Sequence, residues 1–230
     1  MKKQTVDIVD FHSHILPGVD HGCSSLEVTK LQLTYAKDNG VSRIIATSHF
    51  YPHIHFIDAF LQKREKAYEA LKTIDFDGIP EVRLGAEVFI CENLHNLEGL
   101  ENLCIAGTKV LLLELPYVND SLDSVETVSA LIDRGFNIVL AHADRYRAEE
   151  IDRLIAIGAR LQLNADALSG LFVRPSVRKW LKQGVVAAIG SDIHKKDKSA
   201  YSRFVRAKKK VSKYLGSIVE QSDAIWYSHQ

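Results

Sequence analysis

The 230-residue chain has an ordinary globular composition, 46% hydrophobic and 25% charged, enough to bury a sizeable core. Its 29 Lys+Arg balance 29 Asp+Glu, so no global charge draws it to nucleic acid or a membrane, although a local basic patch is left open. Three widely spaced cysteines, Cys23, Cys91 and Cys104, form no CxxC pair, which excludes zinc-ribbon and disulfide scaffolds and points to a reducing cytoplasm. The start MKKQTVDIVDFHSH lacks the apolar stretch of a signal peptide, and no run approaches the about 18 apolar residues of a membrane span.

Val6–Phe11 (VDIVDF) reads as the first strand, and His12 and His14 follow it directly. Residues i and i+2 of a strand point to one side, so both imidazoles can reach one ion. A helix is expected over 24–39, with Ser24 or Ser25 as N-cap and Gly40 at its end. Arg43–Thr47 (RIIAT) is the next strand, with His49 two residues beyond it. A second helix spans 57–74, where Phe60, Lys63, Ala67, Ala70, Leu71 and Ile74 fall near helical spacing. Val82–Phe89 is a strand carrying Glu87; 92–108, with several Asn and Gly residues, has room for one short helix.

Lys109–Leu115 (KVLLLEL) has the unbroken apolar character of a strand buried on both faces, and it carries Glu114. Further strands are expected at 137–141, 160–164 and 185–190, with helices near 121–134, 148–157, 177–183 and 199–214. His142 follows the first of these strands; Asp192 and His194 follow the last. The segment 203–213 is strongly basic and reads as the solvated face of a packed helix.

About seven strands alternating with helices indicate one domain over residues 1–230, an α/β parallel barrel with its site at the C-terminal ends of the strands. The glycine-rich loops of an open nucleotide-binding sheet are missing. Taken singly, HxH fits a pair of surface histidines, His49 a loop residue, and Glu87 or Glu114 a structural ion pair. Their recurrence after successive apolar runs favours a shared metal cluster, because each buried carboxylate needs a cation or a hydrogen-bond network. Imidazoles and carboxylates without thiolates suit Zn, Mn or Fe. Two ions about 3.5–4 Å apart can clamp the attacking and leaving oxygens of a phosphoester. Arg145 and Arg147, just after His142, are placed to hold an anionic substrate.

In chain order DFHSHILPGVDHG, IIATSHF, LGAEVFI, LLLELPY, VLAHADRY and AIGSDIH resemble the PHP (polymerase and histidinol phosphatase) superfamily. Within it the chain is most similar to bacterial tyrosine-protein phosphatases of capsule and exopolysaccharide synthesis. The resemblance implies a distorted (β/α)7 TIM-like barrel and two to three ions of Mn, Fe or Zn, with Mn favoured. His12, His14, Glu87 and Asp192 would hold the first ion; Glu87 would bridge to a second, completed by Glu114 and His142. His49 and His194 would hold the third, and His21 stands where the family usually has the second Asp of DDG. Arg145 matches the arginine that contacts the substrate phosphate; it is assigned to catalysis with His49 and His194, and Arg147 and Lys195 to substrate binding. A second family arginine expected soon after the SDxH motif has no match, and Lys195, Lys196 and Lys198 lie there as point charges.

The activity so implied is hydrolysis of phosphotyrosine by a metal-bound hydroxide. The implied partner is a bacterial tyrosine kinase with a tyrosine-rich tail; no nucleic acid is expected, and an oligomer is left open. The alternatives are a small-molecule phosphatase of the histidinol-phosphate type and a binding module weakened at His21. A nuclease or amidohydrolase barrel fits less well, since Glu87 and Glu114 stand where amidohydrolases place a lysine. A cysteine phosphatase is excluded, because Thr29, Leu97 and Val110, not arginines, stand six residues beyond the cysteines. Tyr51 and Phe56, beside His53 and His55, are candidates to stack on an aromatic substrate.

Overall fold

A computed structural model describes residues 7–116 and 124–228. Its strands are β1 (Asp10–Ser13), β2 (Arg43–Ala46), β3 (His49–Phe50), β4 (Glu81–Leu84), β5 (Glu87–Phe89), β6 (Val110–Glu114), β7 (Asn137–Leu140), β8 (Arg160–Asn164) and β9 (Val186–Gly190). All pairings are parallel, in the order β3-β5-β6-β7-β8-β9-β1-β2-β4.

The nine strands make a ring of seven. The chain through β2 and β3 runs beside that through β4 and β5 in one register, from Arg43↔Glu81 to Phe50↔Val88. Between them Gly85 N donates to Ala46 O and Glu87 N to Ser48 O. Each pair is thus one interrupted strand, and since β5 pairs with β6 and β9 with β1, the ladder closes as the expected barrel. Below β5 the gap toward β6 is spanned by Ile105 and Ala106, which donate to Val110 O and Leu84 O.

The inner cluster includes Val9, Phe11, Ile45, Leu112, Val139 and Ala188, and Trp226 closes it. Trp226 ends a helix the sequence reading did not expect, α8 (Leu215–Trp226). Its buried Ile218, Ser222 and Trp226 recur every fourth residue, a helical stripe that was legible.

The other helices are α1 (Leu26–Asp38), α2 (Ile57–Lys72), α3 (Ser124–Asp133), α4 (Ala148–Ala156), α5 (Ala165–Ser169), α6 (Pro175–Gln183) and α7 (Ala200–Lys210). Ser25 is the N-cap of α1, its side chain accepting from Val28 N, and Pro175 starts α6 where its missing N–H costs nothing. Two 3-10 turns, Leu94–Asn96 and Leu100–Leu103, stand where one short helix was expected. The expected strand at 6–11 begins later, at Asp10, and Val6 lies outside the described residues, as do 121–123 of the expected helix at 121–134. No helix among the described residues is long and apolar enough to cross a membrane.

Candidate metal centre

His12, His14, Glu114, His142, Asp192 and His194 lie near or just beyond the C-terminal ends of strands, His49 and Glu87 open the short β3 and β5 that continue β2 and β4, and His21 stands in the loop between β1 and α1. On β1 this takes a bulge. Asp10 pairs with Ile44 but Ser13 with Ala46, so β1 carries one extra residue and the in–out alternation shifts. Phe11 therefore lines the barrel interior and its neighbour His12 still reaches the centre.

Two glycines make room for the imidazoles. A Cβ on Gly190 would fall 2.5 Å from His12 Cβ, and one on Gly22 2.1 Å from His14 Cβ. At the far strand ends the backbone turns sharply: His142 has φ 32° and Asp192 φ 50°. Such left-handed geometry in non-glycine residues costs about 1–3 kcal/mol and collects at functional sites.

The side chains converge on Glu87, which is buried. Its Oε2 lies 3.1 Å from His12 Nε2, 3.3 Å from His14 Nε2 and 2.9 Å from His49 Nδ1, and its Oε1 lies 2.8 Å from His142 Nε2. Glu114 faces His49 at 3.6 Å and His142 at 3.8 Å. Asp192 Oδ1 stands 3.7 Å from His12 Nε2 and 3.5 Å from His14 Nε2. Three sets fall within ligand reach of a common point: His12, His14 and Glu87; His49, Glu87 and Glu114; and His14, His49 and His194. His21 stacks on His49 with ring centroids 4.8 Å apart and lies tilted beside His194 at 5.0 Å, which puts it beside the third set.

The donor chemistry fits cations. His12 Nδ1 is held by Gln162 Oε1 at 3.0 Å and His14 Nδ1 by Asp20 Oδ2 at 2.8 Å. In neutral imidazoles those contacts take the only ring protons, leaving both Nε2 lone pairs 3.1 Å apart and facing carboxylate oxygens. Glu87 Oε2 and Glu114 Oε2 are buried without a hydrogen bond in the described structure. Acceptors so arranged need either protons or metal ions among them.

The titration pattern says the same. Burial disfavours charge throughout, but the surrounding imidazoles pull Glu87 and Asp192 well below the usual carboxylate range. Burial also pushes the imidazoles down; the carboxylates outweigh it and raise His12, His14 and His49, the last to about 9. At His194 burial and then His14 win, and it falls to about 4.

Above the cluster opens a cleft of about 380 Å³ whose lining includes His21, His49, Tyr51, Glu114, Arg145 and Arg203. Arg145 Nη2 donates to Asp192 Oδ2. Arg203, expected on a solvated helix face, instead turns into the cleft, where it pairs with Asp166 and with Asp197, 2.5 Å away. The helix packs through Tyr201, Phe204 and Ala207, and that rotation leaves Arg203 half-buried. Tyr51 stacks on His49, centroids 5.2 Å apart and planes 17° from parallel; Phe56 is 84% exposed and does not line the cleft. Arg147 precedes α4 at the surface and Lys195 is exposed beside His21; neither lines the cleft.

The supporting shell was not anticipated. Asp20 orients His14 and accepts from the backbone N–H of Gly22 and His49. Asn164 Nδ2 donates to Asp192 Oδ2 at 2.9 Å. Asp10 accepts from Ser191 N and Oγ, tying β1 to the loop that carries Asp192. Gln162, a polar residue inside the apolar strand RLQLN, gave the same signal as Glu87 and Glu114 and was readable.

Residues 8–227 match the model of a family described as capsular polysaccharide synthesis, CpsB/CapC. The tyrosine-protein phosphatase CpsB of Streptococcus pneumoniae is 28% identical over 211 residues, covering 83% of this chain and 84% of its own length. The tyrosine-protein phosphatase YwqE of Bacillus subtilis is 25% identical over 197 residues, covering 81% and 77%. A crystal structure from work on YwqE and CpsB, described as metal-dependent tyrosine phosphatases, superposes with a TM-score of 0.78 at 20% identity over 97% of this chain and 96% of that one; at that identity the likeness is one of fold.

Proposed function

The chain belongs to the CpsB/CapC family of capsular polysaccharide synthesis, and on that premise we propose that it is a metal-dependent protein-tyrosine phosphatase. The observation that carries the reading is the convergence of His12, His14, His49 and His142 on the buried Glu87 carboxylate, beneath a cleft edged by Arg145. The names of the relatives favour phosphotyrosine over a small-molecule phosphate.

His12, His14, Glu87 and Asp192 form one ion site, Glu87, Glu114 and His142 a second, and His49, His194 and His21 a third. Mn, Fe or Zn held there supplies Lewis acidity to the phosphate and lowers the pKa of water. Gln162 and Asp20 keep the Nε2 lone pairs of His12 and His14 aimed at the cation. Arg145, which Asp192 holds at the cleft wall, is positioned to exchange that carboxylate for two oxygens of the substrate phosphate. Arg203 supplies a second cation, and Lys195 and Arg147 stand further out.

The tyrosyl ring lies along Tyr51. A phenolate, with a pKa of about 10, leaves more readily without a proton donor than an alkoxide does. The substrate in view is the tyrosine-rich tail of a bacterial tyrosine kinase of capsule synthesis, and the setting is cytoplasmic.

The test compares turnover of a phosphotyrosine peptide, a phosphoserine peptide and histidinol phosphate after chelation and Mn addition. Metal-restored turnover that prefers the phosphotyrosine peptide is expected. Full 4-nitrophenyl phosphate hydrolysis by both Glu114→Ala and His142→Ala would sink the assignment.

A further inference from the structure

Away from the cleft, the loop joining α5 to α6 presents Leu171 and Phe172, 92% and 87% exposed. Their neighbour Val173 packs on the core, but these two point outward. Lys210 Nζ holds the loop in this form by donating to Gly170 O and, at 3.0 Å, to Leu171 O. The groove at their base is edged by Arg178, Lys210 and Lys213, and no acidic residue lines it. The cations come from two stretches, 170–183 and 203–213, that contain no Asp or Glu, in a chain of zero formal net charge.

We infer that this face docks on an anionic phospholipid bilayer, with Leu171 and Phe172 entering the interfacial region and Arg174, Arg178 and Lys213 meeting the headgroup phosphates. A protruding apolar pair ringed by cations matches that surface: the aromatic and aliphatic groups leave water while the basic side chains stay at headgroup level. A second copy is a poor occupant, because docking the patch on itself would bring cations against cations. An acidic protein segment seated in the groove would satisfy the charge but would leave most of Leu171 and Phe172, which stand out from it, in water.

The placement relates to the cleft. Asn164, at the end of β8, contacts Asp192, and only the five-residue α5, a rise of about 7.5 Å, and Gly170 separate it from the knob. A docked molecule would hold its cleft close to the bilayer and within reach of phosphoproteins anchored there.

The experiment is sedimentation of the full chain with vesicles of phosphatidylglycerol or of phosphatidylcholine. Binding to the first and not the second is expected, weakened by salt. Leu171→Ser/Phe172→Ser and Arg178→Glu/Lys213→Glu should each lower the partition by about tenfold while leaving thermal melting and turnover of a soluble phosphate ester unchanged. Equal binding to both lipids, no binding to either, or undiminished binding by both double variants would overturn the inference. So would capture of an acidic peptide without vesicle binding, which would make a protein segment the occupant.

Discussion

His12 on β1 and Gln162 on β8 meet at 3.0 Å across the intervening strand β9. They meet because β9 offers Gly190 between them: a Cβ there would lie 2.5 Å from His12 Cβ and 2.6 Å from Gln162 Nε2. The same Gln162 oxygen accepts the backbone N–H of His142 at 2.6 Å, so one amide sets both an imidazole of the first ion site and the strand end that carries a ligand of the second.

Gln162→Leu keeps the volume and removes the acceptor. Outer-shell partners of this kind are worth about 10–100-fold in metal affinity. A loss of that size, measured by titration of the metal-stripped protein, is expected with far-ultraviolet circular dichroism unchanged. Wild-type affinity would show that His12 does not depend on this contact.

Gly190→Ala forces His12 and Gln162 apart. Overpacking at a tight site costs about 1–3 kcal/mol, so a lower melting temperature together with a lower metal count is expected. Gly216 in α8 has nothing within 4 Å of the corresponding position, and Gly216→Ala should stabilise by about 0.5–1 kcal/mol. The two variants separate a crowded glycine from a dispensable one.

Chelated protein should lose stability on the alkaline side. The carboxylates outweigh burial and raise His12, His14 and His49, the last to about 9. Their contribution is complete below the about 6.5 of an unfolded imidazole and is lost as pH rises through the folded values. His21 and His194 are pushed down by burial, and the stability they gain with rising pH is nearly complete once the unfolded imidazole has lost its proton just above about 6.5, so they do not offset the fall at higher pH. Melting of the metal-free protein should therefore fall between pH 6.5 and 9, and added Mn or Zn should reverse the fall, since ions replace the protons. A melting temperature flat across that range would contradict the cluster.

Arg145→Ala is expected to lower kcat/KM for the phosphotyrosine peptide by about 10²-fold, the cost of removing one well-placed donor. Arg203→Ala should act mainly on KM, as a group that binds substrate and transition state alike. Arg203→Lys should recover much of that loss, because a point charge suffices there, whereas Arg145→Lys should not. Equal effects on kcat and KM from both positions would merge the two roles.

The linear sequence by itself determined the parallel barrel and the roster of candidate ligands. RIIAT, KVLLLEL and the later apolar runs specify strands buried on both faces, and a carboxylate inside such a run, at Glu87 or Glu114, announces a compensating cation. The tertiary structure alone decided everything that depends on contacts between distant strands. The bulge that turns both Phe11 and His12 inward is a matter of register against β2. The need for glycine at 22 and 190 arises from imidazoles far away in sequence or around a turn. Arg203 enters the cleft because Tyr201, Phe204 and Ala207 claim the core side of α7, a rotation that periodicity permits but does not select. Hydrophobic pattern is local and survives in one dimension; close packing and hydrogen-bond pairing join residues that only the closed ring brings together.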